Sequence, residues 1–177
     1  MLRTLAVVSA AVLFAAPALA EDCAGSHVVD RCLVGTWQMT TNGMDAWAKK
    51  HLRNFRATNV KASGNTITLN ADGSFATGAS HVTAQGAMPN GGSASSTMDA
   101  QASGAWSAAG GKFNLCAKQS SMQGTTSITQ GGHTTTSPVE HAVPSVSTQT
   151  YSCAGDTFST TRKMSGDDIT SIYTKVK

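Results

Sequence analysis

The chain has 177 residues and a formal net charge of +3, with charged side chains at 13% and aromatics at 6%. That length suits a single domain. A small, unclustered positive charge argues against a nucleic-acid partner, which needs grouped Lys and Arg.

The first elements read as an export signal and an arm. Residues 1–20 carry one cation, Arg3, then an apolar run from Leu5 to Ala16, and end in Ala18-Leu19-Ala20. Small-x-small is the pattern a signal peptidase cuts, and the run is shorter than the roughly 20 apolar residues of a membrane helix. The expectation is a signal peptide over 1–20, an N-terminal arm over 21–31 and a β-barrel domain over 32–177, in a periplasmic or secreted protein. No stable membrane insertion is expected. No later run suits a spanning helix, and few aromatics with many Ser and Thr argue against an outer-membrane barrel.

The rest of the chain alternates with period two in short runs bounded by Gly, Asn and Asp. Leu33, Gly35, Trp37 and Met39 share one face of the first strand. Residues 43–56 break the rhythm. Met44, Trp47, Ala48, His51, Leu52 and Phe55 fall at helical spacing, with Asn42 as N-cap and Asp45 at the positive helix start. A short amphipathic helix is therefore predicted after the first strand, closing a barrel end or covering a cavity. Strands follow over 65–70, with Ile67 and Leu69 on one face, and over 74–77, after the turn Ala71-Asp72-Gly73. Residues 79–103 and 120–147 are rich in Ala, Gly, Ser, Thr and Gln. Their strands have few large apolar side chains and are expected as edge or protruding hairpins. Pro89-Asn90-Gly91-Gly92 marks a loop, Gly131-Gly132 a hairpin turn, and Pro138 and Pro144 bracket an irregular stretch around Glu140-His141. A strand is expected over 112–118, after the turn Ala109-Gly110-Gly111, with Phe113, Leu115 and Ala117 on one face and Cys116 on the other. Three more are expected over 147–154, 157–164 and 169–176, joined by turns at Gly155-Asp156 and Ser165–Asp168. The fold class is all-β, a single antiparallel barrel or sandwich.

The four cysteines, Cys23, Cys32, Cys116 and Cys153, all follow the signal. An even count in an exported chain predicts two disulfides. Four cysteines allow three pairings; the expected one is Cys23–Cys32, a local clip, with Cys116–Cys153 joining two late strands. No C-x-x-C occurs and no His lies at zinc-ligand spacing from a Cys pair, so no metal and no cofactor are expected.

Leu33-Val34-Gly35-Thr36-Trp37 resembles the Gly-x-Trp opening of the calycins, the superfamily of lipocalins and fatty-acid-binding proteins. The segment Met44-Asp45-Ala46-Trp47 looks like the start of the helical lid in the fatty-acid-binding proteins. The final Thr170-Ser171-Ile172-Tyr173-Thr174-Lys175-Val176 is similar to that family's last strand, with Ser171 where the family has Arg. The resemblance implies a calycin-like barrel of about 8–10 strands in which Gly35 and Trp37 plug the closed end. It also implies that Tyr173 helps hold a ligand.

On the face of 157–164 that carries Phe158 and Met164 sits Arg162, which either binds an anionic ligand group or stacks as a structural cation. No nucleophile elbow, paired-carboxylate cleft, zinc motif or phosphate loop is present, so no enzyme is expected and no catalytic residue is assigned. The reading is an exported lipocalin-like binding protein for a small apolar or amphipathic molecule. Met44, Trp47, Leu52, Phe55, Arg162 and Tyr173 are its candidate ligand contacts. The alternative is a protein-binding or structural envelope module with a solid barrel core, whose partner is an envelope protein.

Overall fold

The computed structural model describes residues 28–43, 46–47, 50, 56–88, 91–141 and 145–176. Its strands are β1 (Gly35–Asn42), β2 (Arg56–Ser63), β3 (Thr66–Leu69), β4 (Ser74–Thr77), β5 (Ser80–Ala87) and β6 (Ser93–Ala109), followed by β7 (Lys112–Gln130), β8 (His133–His141), β9 (Ser145–Ala154), β10 (Thr157–Met164) and β11 (Asp167–Lys175). Eight of them close a ring in chain order, β1-β3-β4-β6-β7-β9-β10-β11, with β11 returning to β1 and every pairing antiparallel. This is an up-and-down barrel, the closure that removes sheet edges altogether. The eight strands of the ring fall within the expected 8–10, and β2, β5 and β8 lie outside it.

The two ends of the barrel are built differently. At one end the turns are tight. Asn70–Ser74 joins β3 to β4, with the Ser74 N–H donating to Asp72 Oδ1 at 2.8 Å. Gly110-Gly111 joins β6 to β7 and Gly155-Asp156 joins β9 to β10. Gly110 and Gly111 both take positive φ, 57° and 76°, as a two-residue hairpin turn with the twist of its strands requires. At the other end only β10–β11 turns tightly, through Ser165-Gly166. The remaining connections there, 43–65, 78–102 and 118–144, are long. They hold β2, β5, β8 and the outer halves of β6 and β7, which pair in the order β2-β5-β6-β7-β8. The Ser/Thr/Gly-rich stretches thus grow out of the barrel as a wing. Pro138, expected in an irregular stretch, lies within β8 opposite Thr125. An edge strand tolerates proline because one row of its N–H groups has no ladder partner.

The core follows the alternation. Leu33, Trp37, Leu69, Phe113 and Phe158 are fully buried, joined by Ile67, Phe75, Trp106, Ala108 and Ala117. Residues 28–34 run across the tight-turn end. The Ala108 N–H donates to the Val28 carbonyl at 2.8 Å. Asp30 accepts from the Cys32 N–H at 2.9 Å and from the Tyr151 hydroxyl at 2.7 Å.

Two expectations are corrected here. Cys32 is bonded to Cys153, with Cα atoms 6.2 Å apart, and Cys116 is disulfide-bonded as well. Neither Cys23–Cys32 nor Cys116–Cys153 therefore forms. Register is the reason. Cys116 lies opposite Val146 of β9, and Cys153 is seven residues further on, about 23 Å at strand rise. A disulfide spans Cα atoms less than roughly 7 Å apart. Second, among the described residues no helix forms an element, so the short helix is not borne out. Of the described residues in that stretch, Ala46, Trp47 and Lys50 have helical backbone, and Arg56 already belongs to β2.

Candidate functional site

The barrel's interior divides into a filled base and an open mouth. At the base, Trp37 is completely buried. Its Nε1–H donates to the Leu33 carbonyl at 2.7 Å, and its ring meets Phe158 edge-on at 4.8 Å. The Lys175 ammonium lies 5.1 Å from the indole centroid, a cation over a π face. Gly35 makes room for that lysine. Its φ is 143°, and a Cβ there would stand 2.7 Å from Lys175 Cε. The Gly-x-Trp spacing is thus a strand start that lets a basic stem fold over the indole.

One layer higher, Tyr173 stacks flat on Phe158, with centroids 4.3 Å apart and planes within 1°. Above this layer opens a cavity of about 440 Å³, within the range of small-molecule sites. Met39, Ile67, Ala102, Leu115, Met122 and Tyr173 line it, with Ala100, Asn65, Thr66, Thr77, Gly78, Ser80, Gln101, Ser120 and Ser121 around them. β1, β3 and β11 supply one wall. β6 and β7 supply the other at the point where they leave the barrel for the wing. Gly104 marks that point. A register shift lies between Ser103 and Gly104, and a Cβ on Gly104 would stand 2.0 Å from the Cys116 carbonyl oxygen. The strands approach too closely there for any side chain.

Among the described residues the lining holds no Asp, Glu, Lys, Arg or His. Its one titratable side chain, Tyr173, is pushed up in pKa by burial. Hydrogen bonds with Thr160 and Ser171 and the charge of Arg162 pull weakly the other way. Tyr173 is therefore a neutral hydroxyl at physiological pH. Two lining hydroxyls already bond backbone. Thr77 Oγ1 accepts from the Ala102 N–H at 2.8 Å, and Ser80 Oγ donates to the Ala100 carbonyl at 3.1 Å. The walls are therefore apolar and uncharged, edged with hydroxyls and amides.

Of the sequence-predicted contacts, Tyr173 alone is placed in this cavity. Arg162 shares the β10 face of the buried Phe158 and Thr160 but sits beyond them, exposed at the rim and outside the lining. Trp47 packs with Gly43, Ala46 and Lys50 against Asp167, Asp168 and Ile169, around a separate hollow of about 210 Å³. Lys50 is ion-paired with Asp167 there. Met44, Leu52 and Phe55 lie outside the described residues. Sequence reasoning missed Ala100, Ala102 and Met122 as contacts. The signal was present in Ala94-x-Ser96-x-Met98-x-Ala100-x-Ala102, a period-two run of small or apolar side chains inside a stretch that composition alone renders featureless. Among the described residues no group of three or more His, Cys, Asp or Glu side chains is placed to hold a metal ion.

Fold and site together define an eight-stranded antiparallel barrel with a packed base and an uncharged cavity at its mouth, an architecture consistent with a calycin-like fold. Comparison with protein-family models, curated proteins and solved structures finds no match.

Proposed function

We propose that the chain is an exported, non-enzymatic binding protein that takes a small apolar or amphipathic molecule into the mouth of its barrel. The carrying observation is the cavity of about 440 Å³ with Met39, Ile67, Ala102, Leu115 and Met122 on its walls and Tyr173 at its floor. The Cys32–Cys153 disulfide fits an oxidising, extracellular environment, and the apolar run before Ala20 supplies the export route. Tyr173 offers a neutral hydrogen-bonding group from the floor. Arg162, at the rim, and Trp47, Met44, Leu52 and Phe55 remain candidate outer contacts. A fluorescent apolar probe tests the reading. Saturable binding by the native protein, abolished by Ala102→Trp with the unfolding midpoint maintained, is the expected result. Absence of saturable binding by the native protein overturns it.

A second reading rests on the base of the same barrel. Trp37, Phe113, Phe158, Leu33 and Leu69 fill it completely, and the wing offers a broad polar face for an envelope protein. In that case native mass spectrometry of protein from its own host shows a stoichiometric protein complex and no small molecule. A co-purifying small molecule that Ala102→Trp excludes favours the first reading.

A further inference from the structure

At the barrel rim the cavity's lining reaches Ser80, Ala100 and Met122. On β6 the inward-facing residues continue into one face of the wing, and on β7 they shift by one position at the Ser103/Gly104 irregularity and continue from Ser120. Across that face the register aligns Ser80, Ala100 and Met122, then Val82, Met98 and Gly124, then Ala84, Ser96 and Thr126. These residues are half-buried, whereas Ser95, Thr97 and Asp99, between them on β6, are exposed on the other face. The two faces differ in charge. On β5, β6 and β7 the cavity-side face carries no ionisable residue, and on the edge strand β8 His141 pairs with Met122. The opposite face carries the ion pair of His81 and Asp99, 2.7 Å apart. From Ala100 to Ala94 the strip runs about 20 Å at strand rise.

From this segregation of charge, and resting on the binding function proposed above, we infer that cavity and wing form one trough for an elongated, uncharged chain. A fatty alcohol, an ester or another neutral lipid chain fits it, and the corresponding carboxylate does not. The physical ground is desolvation. A carboxylate drawn against this surface loses water and meets no cation among the described lining residues, whereas a hydroxyl or ester loses far less. Two of the lining hydroxyls that would solvate an anion already donate to backbone carbonyls, Thr77 to Ala102 and Ser80 to Ala100. Length enters separately. A short chain fills the cavity, and only a long one reaches Met98 and Val82.

Displacement of a bound fluorescent apolar probe separates these terms. Hexadecanol and methyl hexadecanoate are expected to displace the probe at concentrations about tenfold or more below that needed for hexadecanoate. Met98→Lys is expected to weaken hexadecanol by about tenfold and to leave octanol unchanged. Thr97→Lys adds the same charge to the opposite face and leaves both alcohols unchanged. Hexadecanoate binding as tightly as hexadecanol overturns the uncharged-ligand inference. Equal effects of Met98→Lys and Thr97→Lys overturn the trough. If the probe itself does not bind, the binding function fails and this inference fails with it.

Discussion

Trp37 is held by a hydrogen bond to Leu33, an edge-on contact with Phe158 and the Lys175 cation over its face. Its loss removes the largest buried surface at the base and leaves a void that short, tightly turned strands cannot collapse into. Trp37→Ala is expected to cost about 3–5 kcal/mol, read as a fall in the denaturant midpoint. The tyrosines make a second prediction at this scale. The chain has two, Tyr151 and Tyr173, and both are raised in pKa. Burial and the Asp30 carboxylate that accepts its hydroxyl push Tyr151 up to about 12, and burial raises Tyr173. A raised tyrosine stabilises the fold fully below the unfolded value of 10 and loses that contribution as pH climbs through the folded value. For Tyr151 the window runs from pH 10 to about 12. Tyrosinate absorbance of the native protein should therefore stay low through pH 10, where the unfolded chain is half ionised. A native titration coinciding with the unfolded one would refute this. Tyr151→Phe removes a hydrogen bond to a charged acceptor and is expected to cost about 1–3 kcal/mol at neutral pH.

At the scale of elements, the covalent link between the arm and β9 carries the most weight. Cys32 and Cys153 are 121 residues apart in sequence, so the bridge removes much of the unfolded chain's loop entropy. Replacing both by Ser, with Cys23 and Cys116 left in place, is expected to cost about 4–5 kcal/mol, measured as a loss in unfolding free energy under non-reducing conditions. An unchanged midpoint would show that the arm contributes nothing to closure. The elements themselves were largely readable. Strands 74–77 and 157–164 match β4 and β10, because Asp-Gly and Gly-Asp turns bracket clear alternation. Gly110-Gly111 and Gly131-Gly132 turn where expected, since only glycine takes positive φ at both turn positions without strain. The pairing of Cys153 was not readable. It depends on register between β7 and β9, a non-local quantity that no short-range pattern records. The inward phase of Arg162 was legible, but not that β10 leaves the cavity before reaching it. Alternation fixes a side, not a depth. Ala100 and Ala102 were hidden for a different reason. Small residues define a cavity by what they leave empty, and hydrophobicity patterns register only what fills space.

For the whole molecule, the packed core and the proposed binding cavity sit in different parts of one sheet. The base concentrates the aromatics, the tight turns and the disulfide-linked arm. The wing concentrates Ser, Thr, Gly and Ala, and its pairings enclose no core of their own. The register makes this division testable. Ala76 lies opposite Ser103, and Ala117 lies opposite Ser145, so the strands that carry the two largest insertions are already hairpin neighbours. Replacing 78–102 and 118–144 by two-residue turns of the Asn-Gly type preserves the barrel ring and removes β5, β8 and the outer halves of β6 and β7. The trimmed chain is expected to fold cooperatively and to keep Trp37 and Trp106 in an apolar environment, read from their emission. It loses Ala100, Ala102, Ser120 and Met122 from the cavity wall, and probe binding should disappear with them. A trimmed chain that folds and still binds would place the site below the mouth. One that fails to fold would show that the wing closes the barrel as well as extending its cavity.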